Sequence, residues 1–179
     1  MMVETCNLLQ ANKPDGTILK PEQLYKNLVC PKVPPNKFFK NKRADLVFFK
    51  SSILADQPQN DSNNISKHVD FVVEVKRLSA PMREIKQDLW RLYMLLTESS
   101  PDVRAYQIIV QEARSDRQSQ NNSKMFIENG KAKRGIFQSS DKTRMPHTVH
   151  YSVRRVLKAS ASFDKKESSH YVIIVEVLR

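Results

Sequence analysis

Residues 68–78 read HVDFVVEVKRL. Valine, phenylalanine and leucine predominate in this segment, which is typical of a β-strand with most of its side chains inside a sheet. Glu74 and Lys76 interrupt the apolar run. Because side chains alternate along a strand, these two project from the same face, about 7 Å apart. An acid and a base that share one face of such a strand indicate either a functional site or an exposed ion pair on a half-buried strand, and such an exposed pair contributes little to stability.

A second apolar segment, ADLVFF at 44–49, predicts a shorter buried strand upstream. The residues between the two segments are rich in Ser, Asn, Asp and Gln, a composition typical of an exposed loop. If the strands pair antiparallel, Asp45 lies opposite Glu74 and Lys50 lies opposite Val69. The pairing then brings both carboxylates and the nearby lysine to one edge of a sheet.

The remaining elements follow from periodicity and turn residues. The segment 79–100 predicts an amphipathic helix with Ser79 as its N-cap, because apolar residues recur at spacings of three and four: Met82, Ile85, Leu89, Leu92, Tyr93 and Leu96. The other predicted elements are a short helix at 21–30, strands at 105–113, 149–157 and 171–179, a loop at 115–123 and a hairpin that turns at Asn129-Gly130. This order predicts an α/β fold with a mixed central sheet.

The chain is strongly basic. Among its 179 residues, 30 Lys and Arg against 19 Asp and Glu give a net charge of +11. The excess is concentrated at 37–50 and 131–166. A protein this basic often binds a polyanion, and nucleic acid is the favoured partner. An anionic membrane surface and a surface that is only solvated remain as alternatives.

Several protein classes are disfavoured by composition. No apolar stretch approaches the roughly 20 residues that span a bilayer, and the N-terminus MMVETCNLLQANK lacks the regions of a signal peptide. We therefore expect an intracellular protein, cytoplasmic or nuclear, with no membrane partner. Cys6 and Cys30 lack zinc-ligand spacing, and three glycines are too few for a phosphate-cradling loop.

The two predicted carboxylates have the chemistry of a metal site. Side by side they repel each other, and a divalent cation relieves that repulsion. Hard oxygen ligands suit Mg²⁺ or Mn²⁺, so we predict that Asp45, Glu74 and the backbone carbonyl of Val75 bind one of these ions. Such an ion polarises a phosphate, and Lys76 would either orient the attacking water or neutralise charge on the phosphoryl oxygens.

Asp45, followed by Glu74-Val75-Lys76 at the end of the next strand, resembles the PD-(D/E)XK nuclease superfamily, which has the restriction-endonuclease-like fold. The resemblance implies an αβββαβ core, with the Asp and Glu binding metal and the Lys assisting the nucleophile. It covers about residues 20–113 of one nuclease-like domain at 1–179, with a β-rich basic extension at 124–179. It also implies a first core strand within PKVPPNKFF (31–39) and an acid on the first helix, for which Glu22 is the candidate.

Two basic groups are candidates for contact with nucleic acid. A helical projection places Arg83 and Lys86 on one side of the helix at 79–100. Lys86 either reaches a phosphate or lays its stem on Trp90. The hairpin at Asn129-Gly130 carries the second group, whose phosphate contacts would give affinity with little sequence specificity: Lys131, Lys133 and Arg134.

These expectations combine into a metal-dependent nuclease acting on DNA, with RNA less favoured. The first alternative is a catalytically inactive nuclease-fold module that binds nucleic acid or a protein partner. The second is a basic interaction domain, for which Asp45 and Glu74 need not be close together. Cleavage of both strands by so small a unit would favour a homodimer or an additional domain of a longer protein.

Overall fold

The structure is a computed structural model that describes residues 11, 13–29, 41–50, 65–111, 117–128, 131–138, 148–163 and 166–179, without the side chains of 117 and 158–171. Its helices and strands are β1 Thr17–Leu24, β2 Arg43–Lys50, β3 Val69–Arg77, α1 Met82–Glu98, β4 Arg104–Gln111, α2 Arg117–Phe126, β5 Ile127–Glu128, β6 Lys131–Ala132, β7 Arg134–Gln138, β8 Thr148–Phe163 and β9 Lys166–Leu178. None of the described helices is long and apolar enough to cross a membrane.

Seven strands form one sheet in the order β1-β2-β3-β4-β9-β8-β7, and β5 and β6 form a separate pair. β1, β2 and β3 pair antiparallel, as do β7, β8 and β9. β3 and β4 run parallel: Arg104 Nη2 lies 3.6 Å from Asp70 Oδ1 where both strands begin, and Leu78 donates its N–H to Val110 O where both end. The predicted α/β class with a mixed sheet is therefore confirmed.

The chain divides into two compact units whose boundaries fall inside β3, α1 and β4. The first comprises Met1–Glu74 and Met94–Ala105. Its antiparallel strands β1, β2 and β3 carry most of its core, and the rings of Phe48 and Phe71 stack with centroids 4.0 Å apart. Its fully buried side chains include Tyr25, Leu28, Leu46, Phe49 and Leu95.

The predicted helix at 21–30 is wrong. Thr17–Leu24 is strand β1, and a single 3₁₀ turn, Tyr25–Asn27, follows it. Pro21 is accommodated because β1 ends the sheet order, and an edge strand tolerates a residue without an N–H donor. Pairing with β2 outweighs the weak local preference for a helix. The strand expected within 31–39 lies outside the described residues.

The second unit comprises Val75–Tyr93 and Tyr106–Arg179. The part of α1 in this unit buries Ile85, Leu89 and Leu92 completely, as the apolar stripe predicts. Gln107 on β4 donates from Nε2 to the carbonyl oxygen of Ile85 at 3.3 Å, which links strand and helix. The predicted strands at 105–113, 149–157 and 171–179 are present as β4, β8 and β9.

The predicted hairpin at Asn129-Gly130 is supported by the pairing on either side of the turn. Ile127 pairs with Ala132 and Glu128 with Lys131, although the two turn residues lie outside the described part of the chain. Next to the hairpin, the hydroxyl of Tyr151 donates to Met125 O at 2.6 Å. Burial raises the pKa of Tyr151 to about 12, so this hydroxyl stays protonated and keeps donating at neutral pH.

The polar segment predicted as a loop at 115–123 is mostly helix α2, Arg117–Phe126. Its buried face carries small polar side chains, and Ser119 and Asn122 are each only 2% exposed. Asn122 donates from Nδ2 to the carbonyl oxygens of Leu78 and Ala80, at 2.6 and 2.8 Å. Hydrogen bonds to the turn after β3 therefore hold this helix in place. The spacing of apolar residues in the sequence does not indicate such bonds.

Asn122→Ala is expected to lower the free energy of unfolding by about 1–3 kcal/mol, because it leaves two partly or fully buried carbonyl groups without this donor. The loss would be measured by urea denaturation. Asn121→Ala is the matched control, since Asn121 is exposed on the same helix and reports only the helix preference of alanine. Equal stability of the two variants would contradict this role for Asn122.

Candidate functional site

The strand register brings Asp45 and Glu74 together. Leu46 pairs with Val73 in the antiparallel ladder of β2 and β3, so the next residues outward, Asp45 and Glu74, lie across from each other. Residues directly opposite in such a ladder share a face, with Cβ atoms about 4.5–5.5 Å apart. Asp45 is half-buried and Glu74 is only 3% exposed. This pairing is the one expected from the sequence.

At the other end of the ladder, the predicted pairing of Lys50 with Val69 is wrong by one residue. Val69 pairs with Phe49 rather than with Lys50, because the register shifts between Phe48 and Phe49. An extra residue in one strand produces such a shift and bends the strand locally. The irregularity lies three to four residues from Asp45 along β2, so the carboxylate end of the ladder keeps its register.

Tyr25 holds Glu74 in place. Its hydroxyl donates to Glu74 Oε1 at 2.5 Å, and the tyrosine is fully buried. The 3₁₀ turn after β1 positions this ring, and the backbone N–H of Tyr25 donates to Lys42 O next to β2. The role of Tyr25 was not predictable from the sequence, because Tyr25 lies 49 residues before Glu74. Without the pairing of β1 with β2, nothing in the sequence indicates the contact.

Glu22 lies in the same row of the sheet. In the pairing of β1 with β2, Pro21 lies opposite Leu46 and Gln23 lies opposite Ala44, which places Glu22 of β1 opposite Asp45 of β2. Its φ of 53° is in the left-handed region, uncommon for a residue other than glycine, and its side chain is exposed. Within the described part of the chain, no three His, Cys, Asp or Glu residues form a group that could hold a metal ion. Glu22 therefore shares the row without completing a three-acid group.

The donor chemistry of this row fits a hard divalent cation. Asp45 and Glu74 would supply carboxylate oxygens from adjacent strands of the first unit, and the backbone carbonyl of Val75 is the third donor that the sequence predicts. Oxygen donors of this kind suit Mg²⁺ or Mn²⁺, with waters completing the coordination shell. The hydrogen bond from Tyr25 is compatible with such binding, because a carboxylate offers about four lone-pair sites.

Lys76 forms an ion pair that the sequence did not predict. Its Nζ lies 2.9 Å from Oδ2 of Asp88 on α1. The two groups form an ion pair, but their relative orientation does not meet the criteria for a hydrogen bond to Oδ2. Oδ1 of Asp88 accepts a hydrogen bond from Nη2 of Arg91. The Asp88 side chain is only 2% exposed, against 26% for Lys76. One buried carboxylate is thus shared by two cationic side chains.

A signal for Asp88 was present in the sequence. It lies three residues after Ile85 and four before Leu92, inside the apolar stripe of α1. An acid at such a position is rarely buried without a partner. The partner itself was not predictable, because Lys76 is twelve residues earlier and reaches Asp88 only through the packing of the second unit.

The predicted nucleic-acid contacts differ in exposure. On α1, Arg83 is exposed, whereas Lys86 is half-buried with Nζ 5.7 Å from the ring centroid of Phe137. The ammonium of Lys86 thus lies over the ring of Phe137, a contact that the sequence did not predict. On the hairpin, Lys131 and Arg134 are exposed, while Lys133 Nζ lies 3.7 Å from Glu128 Oε2. Lys131 and Arg134 therefore present their charge most directly to a partner.

Known protein families, curated proteins and solved structures give no match to this chain. The case for a function therefore rests on the residues described above. In the first unit these are the paired carboxylates of Asp45 and Glu74 and the tyrosine that binds Glu74. In the second unit they are Lys76 and the buried carboxylate of Asp88.

Proposed function

We propose that this chain is a metal-dependent nuclease that hydrolyses phosphodiester bonds, with DNA as the favoured substrate. The observation that carries the proposal is the pair of carboxylates, Asp45 and Glu74, in register on neighbouring antiparallel strands. Lys76 follows Glu74 by two residues in β3 and therefore projects from the same face of that strand. This arrangement, an acid opposite a second acid that is followed two residues later by a lysine, is the feature that resembles the PD-(D/E)XK superfamily.

Each residue has a distinct role in this proposal. Asp45, Glu74 and the carbonyl of Val75 would hold Mg²⁺ or Mn²⁺. When bound, such a cation polarises the phosphate and activates water. Tyr25 fixes the orientation of Glu74 through its short hydrogen bond. The ammonium of Lys76 orients the attacking water or stabilises negative charge that develops on the phosphoryl oxygens.

The order of elements supports the proposal. The succession β1, β2, β3, α1, β4 reproduces the βββαβ part of the core that the resemblance implies, with the first strand at Thr17–Leu24 rather than within 31–39. The leading helix of that core was expected at 21–30, where the structure has β1 and a 3₁₀ turn. The residues before β1 lie largely outside the described part of the chain.

The charge of the chain supports a polyanionic substrate. A net charge of +11 raises the local concentration of nucleic acid around the protein. Exposed Lys131 and Arg134 would contact phosphates, which positions a strand without reading its sequence. We therefore propose affinity that depends on salt and specificity set mainly by the shape of the substrate.

Lys76→Ala tests the proposal. The wild-type protein is expected to cleave single-stranded DNA, duplex DNA or RNA with Mg²⁺ or Mn²⁺ and to stop in EDTA. Lys76→Ala should lower the rate by at least about a hundredfold, because a preorganised charge near the reacting phosphate is lost. Lys50→Ala, at an exposed lysine on β2, is the matched control and should keep the wild-type rate. Wild-type cleavage that persists in EDTA would contradict the proposal.

One observation favours the inactive binding module as a second candidate. Lys76 is engaged by the buried Asp88 at 2.9 Å, and a lysine held in this way can serve structure rather than catalysis. The same set of assays distinguishes the two candidates. Salt-sensitive binding of nucleic acid, with no cleavage under either metal, would establish the binding module in place of the nuclease.

A further inference from the structure

Asp88 is a buried carboxylate to which the proposed chemistry assigns no role. The whole residue is 1% exposed, and it lies on the buried face of α1 beside the apolar side chains of Ile85 and Leu89. Placing a carboxylate at such a position is unfavourable unless cations and hydrogen bonds compensate for its lost hydration. Lys76 and Arg91 provide that compensation, one at each carboxylate oxygen.

A buried ion pair is weak evidence for stability, since an apolar side chain of similar volume often serves as well. A contribution to packing therefore does not explain why an acid stands at residue 88. What a carboxylate provides and a leucine does not is a fixed negative charge that directs the end of a long cationic side chain. Lys76 is the side chain so directed, because its Nζ is the atom that lies 2.9 Å from Oδ2.

We infer that Asp88 is a positioning residue for Lys76, an inference that rests on the proposed nuclease function. A lysine side chain is flexible, and its point charge acts on a substrate only while it is held in place. Asp88 supplies that restraint from the helix. The ammonium carries three N–H groups, so one contact with Asp88 leaves others for water or a phosphate oxygen.

Arg91 has a supporting role in this arrangement. Its guanidinium donates to Oδ1, and its side chain is 14% exposed. By occupying Oδ1, Arg91 leaves Oδ2 as the oxygen that faces Lys76. The rigid guanidinium of Arg91 holds Oδ1, and the flexible ammonium of Lys76 is held at Oδ2. In this arrangement Arg91 fixes the carboxylate, and the carboxylate in turn positions Lys76.

A positioning role and a merely structural role predict different double-mutant cycles. If Asp88 acts through Lys76, its loss has no further effect on the rate once Lys76 is already alanine. If Asp88 only stabilises the fold, its loss lowers the urea stability and the fraction of folded protein, and the rate constant of the folded protein stays that of the parent. The single-turnover rate constant therefore separates the two roles even when the variants are less stable than the wild type, whereas stability alone does not, because Lys76 and Asp88 are in contact.

The experiment compares wild type, Lys76→Ala, Asp88→Asn and the double variant in single-turnover cleavage with saturating protein, with substrate binding and urea stability measured beside it. Asp88→Asn is expected to lower the rate about 10- to 100-fold, the size of effect that follows removal of the hydrogen-bonding partner of a metal-ligating residue. The double variant is expected to match Lys76→Ala, with substrate binding unchanged. Asp102→Asn, at an exposed acid, is the matched control.

Asp88→Glu adds a second variant that keeps the charge and displaces it by one methylene. Its rate is expected to lie between those of the wild type and Asp88→Asn, and it replaces Asp88→Asn in the cycle if that variant fails to fold. Two results would overturn this inference and leave the proposed nuclease function standing. One is a double variant that is slower than Lys76→Ala by the same factor by which Asp88→Asn is slower than the wild type. The other is an Asp88→Asn protein with the wild-type rate. A wild type that cleaves nothing would overturn the proposed function and this inference with it.

Discussion

Replacing Glu74 with glutamine is expected to reduce metal-dependent cleavage by at least about 10²–10³-fold, because an amide removes the negative charge that we propose binds the cation, together with its preorganised electrostatic effect. Glutamine keeps the size of glutamate, and its carbonyl oxygen can still accept the hydrogen bond from Tyr25. The fold should therefore survive the change, so that the loss of rate reports the site. Single-turnover cleavage under saturating Mg²⁺ and Mn²⁺ measures it.

Glu84→Gln is the matched control for Glu74→Gln. Glu84 is an exposed acid in the first turn of α1, so neutralising it changes the net charge by the same amount without touching the carboxylate pair. The control should cleave at the wild-type rate. Comparable rates for Glu74→Gln and Glu84→Gln would remove Glu74 from the catalytic site.

Replacing Tyr25 with alanine is expected to lower the free energy of unfolding by about 3–5 kcal/mol, the usual cost of deleting a large buried aromatic ring. Tyr25 is fully buried in the first unit, where its ring fills core volume and its hydroxyl binds Glu74. Tyr25→Phe keeps the ring and removes only the hydroxyl. It should cost about 1.5–3 kcal/mol, the range for hydrogen bonds to charged groups.

Urea denaturation of the two Tyr25 variants separates packing from hydrogen bonding. Lys26→Ala, at the exposed neighbour, is the control and should remain within about 0.5 kcal/mol of the wild type. A Tyr25→Phe protein as stable as the wild type would show that the hydroxyl contributes nothing to holding Glu74. A Tyr25→Phe protein as unstable as Tyr25→Ala would show that the ring contributes nothing beyond that bond.

The strands β2, β3 and β4 are predictable from sequence, because each contains a short apolar run with β-branched or aromatic residues. Strand β1, TILKPEQL, has no such run, and the sequence predicted part of it as a helix. The segments 44–49 and 69–78 predict β2 and β3, and matching their ends predicts that Asp45 faces Glu74. The shift at Phe48 and Phe49 was not predictable. The extra residue is Asp70 in β3, and its residue type does not mark a bulge, which is a local choice of backbone conformation.

The residues that sequence analysis missed act through contacts between distant parts of the chain. Tyr25 reaches Glu74 only because β1 pairs with β2, and Asn122 is buried only because α2 packs at the turn after β3. The helix α2 has few apolar residues, so hydrogen bonds rather than an apolar stripe define its inner face. A method that relies on hydrophobic periodicity assigns such a segment to a loop.

We propose that Asp45 and Glu74 together bind a divalent cation, and titration of Mn²⁺ into the purified protein is the decisive measurement. Electron paramagnetic resonance measures the free Mn²⁺ and gives the bound ions by difference, with wild type, Asp45→Asn, Glu74→Gln and the Glu84→Gln control compared at equal concentration. We expect a saturable site in the wild type and the control that is lost in both Asp45→Asn and Glu74→Gln. Mn²⁺ binding that is equal in all four proteins, or absent from the wild type, would contradict it.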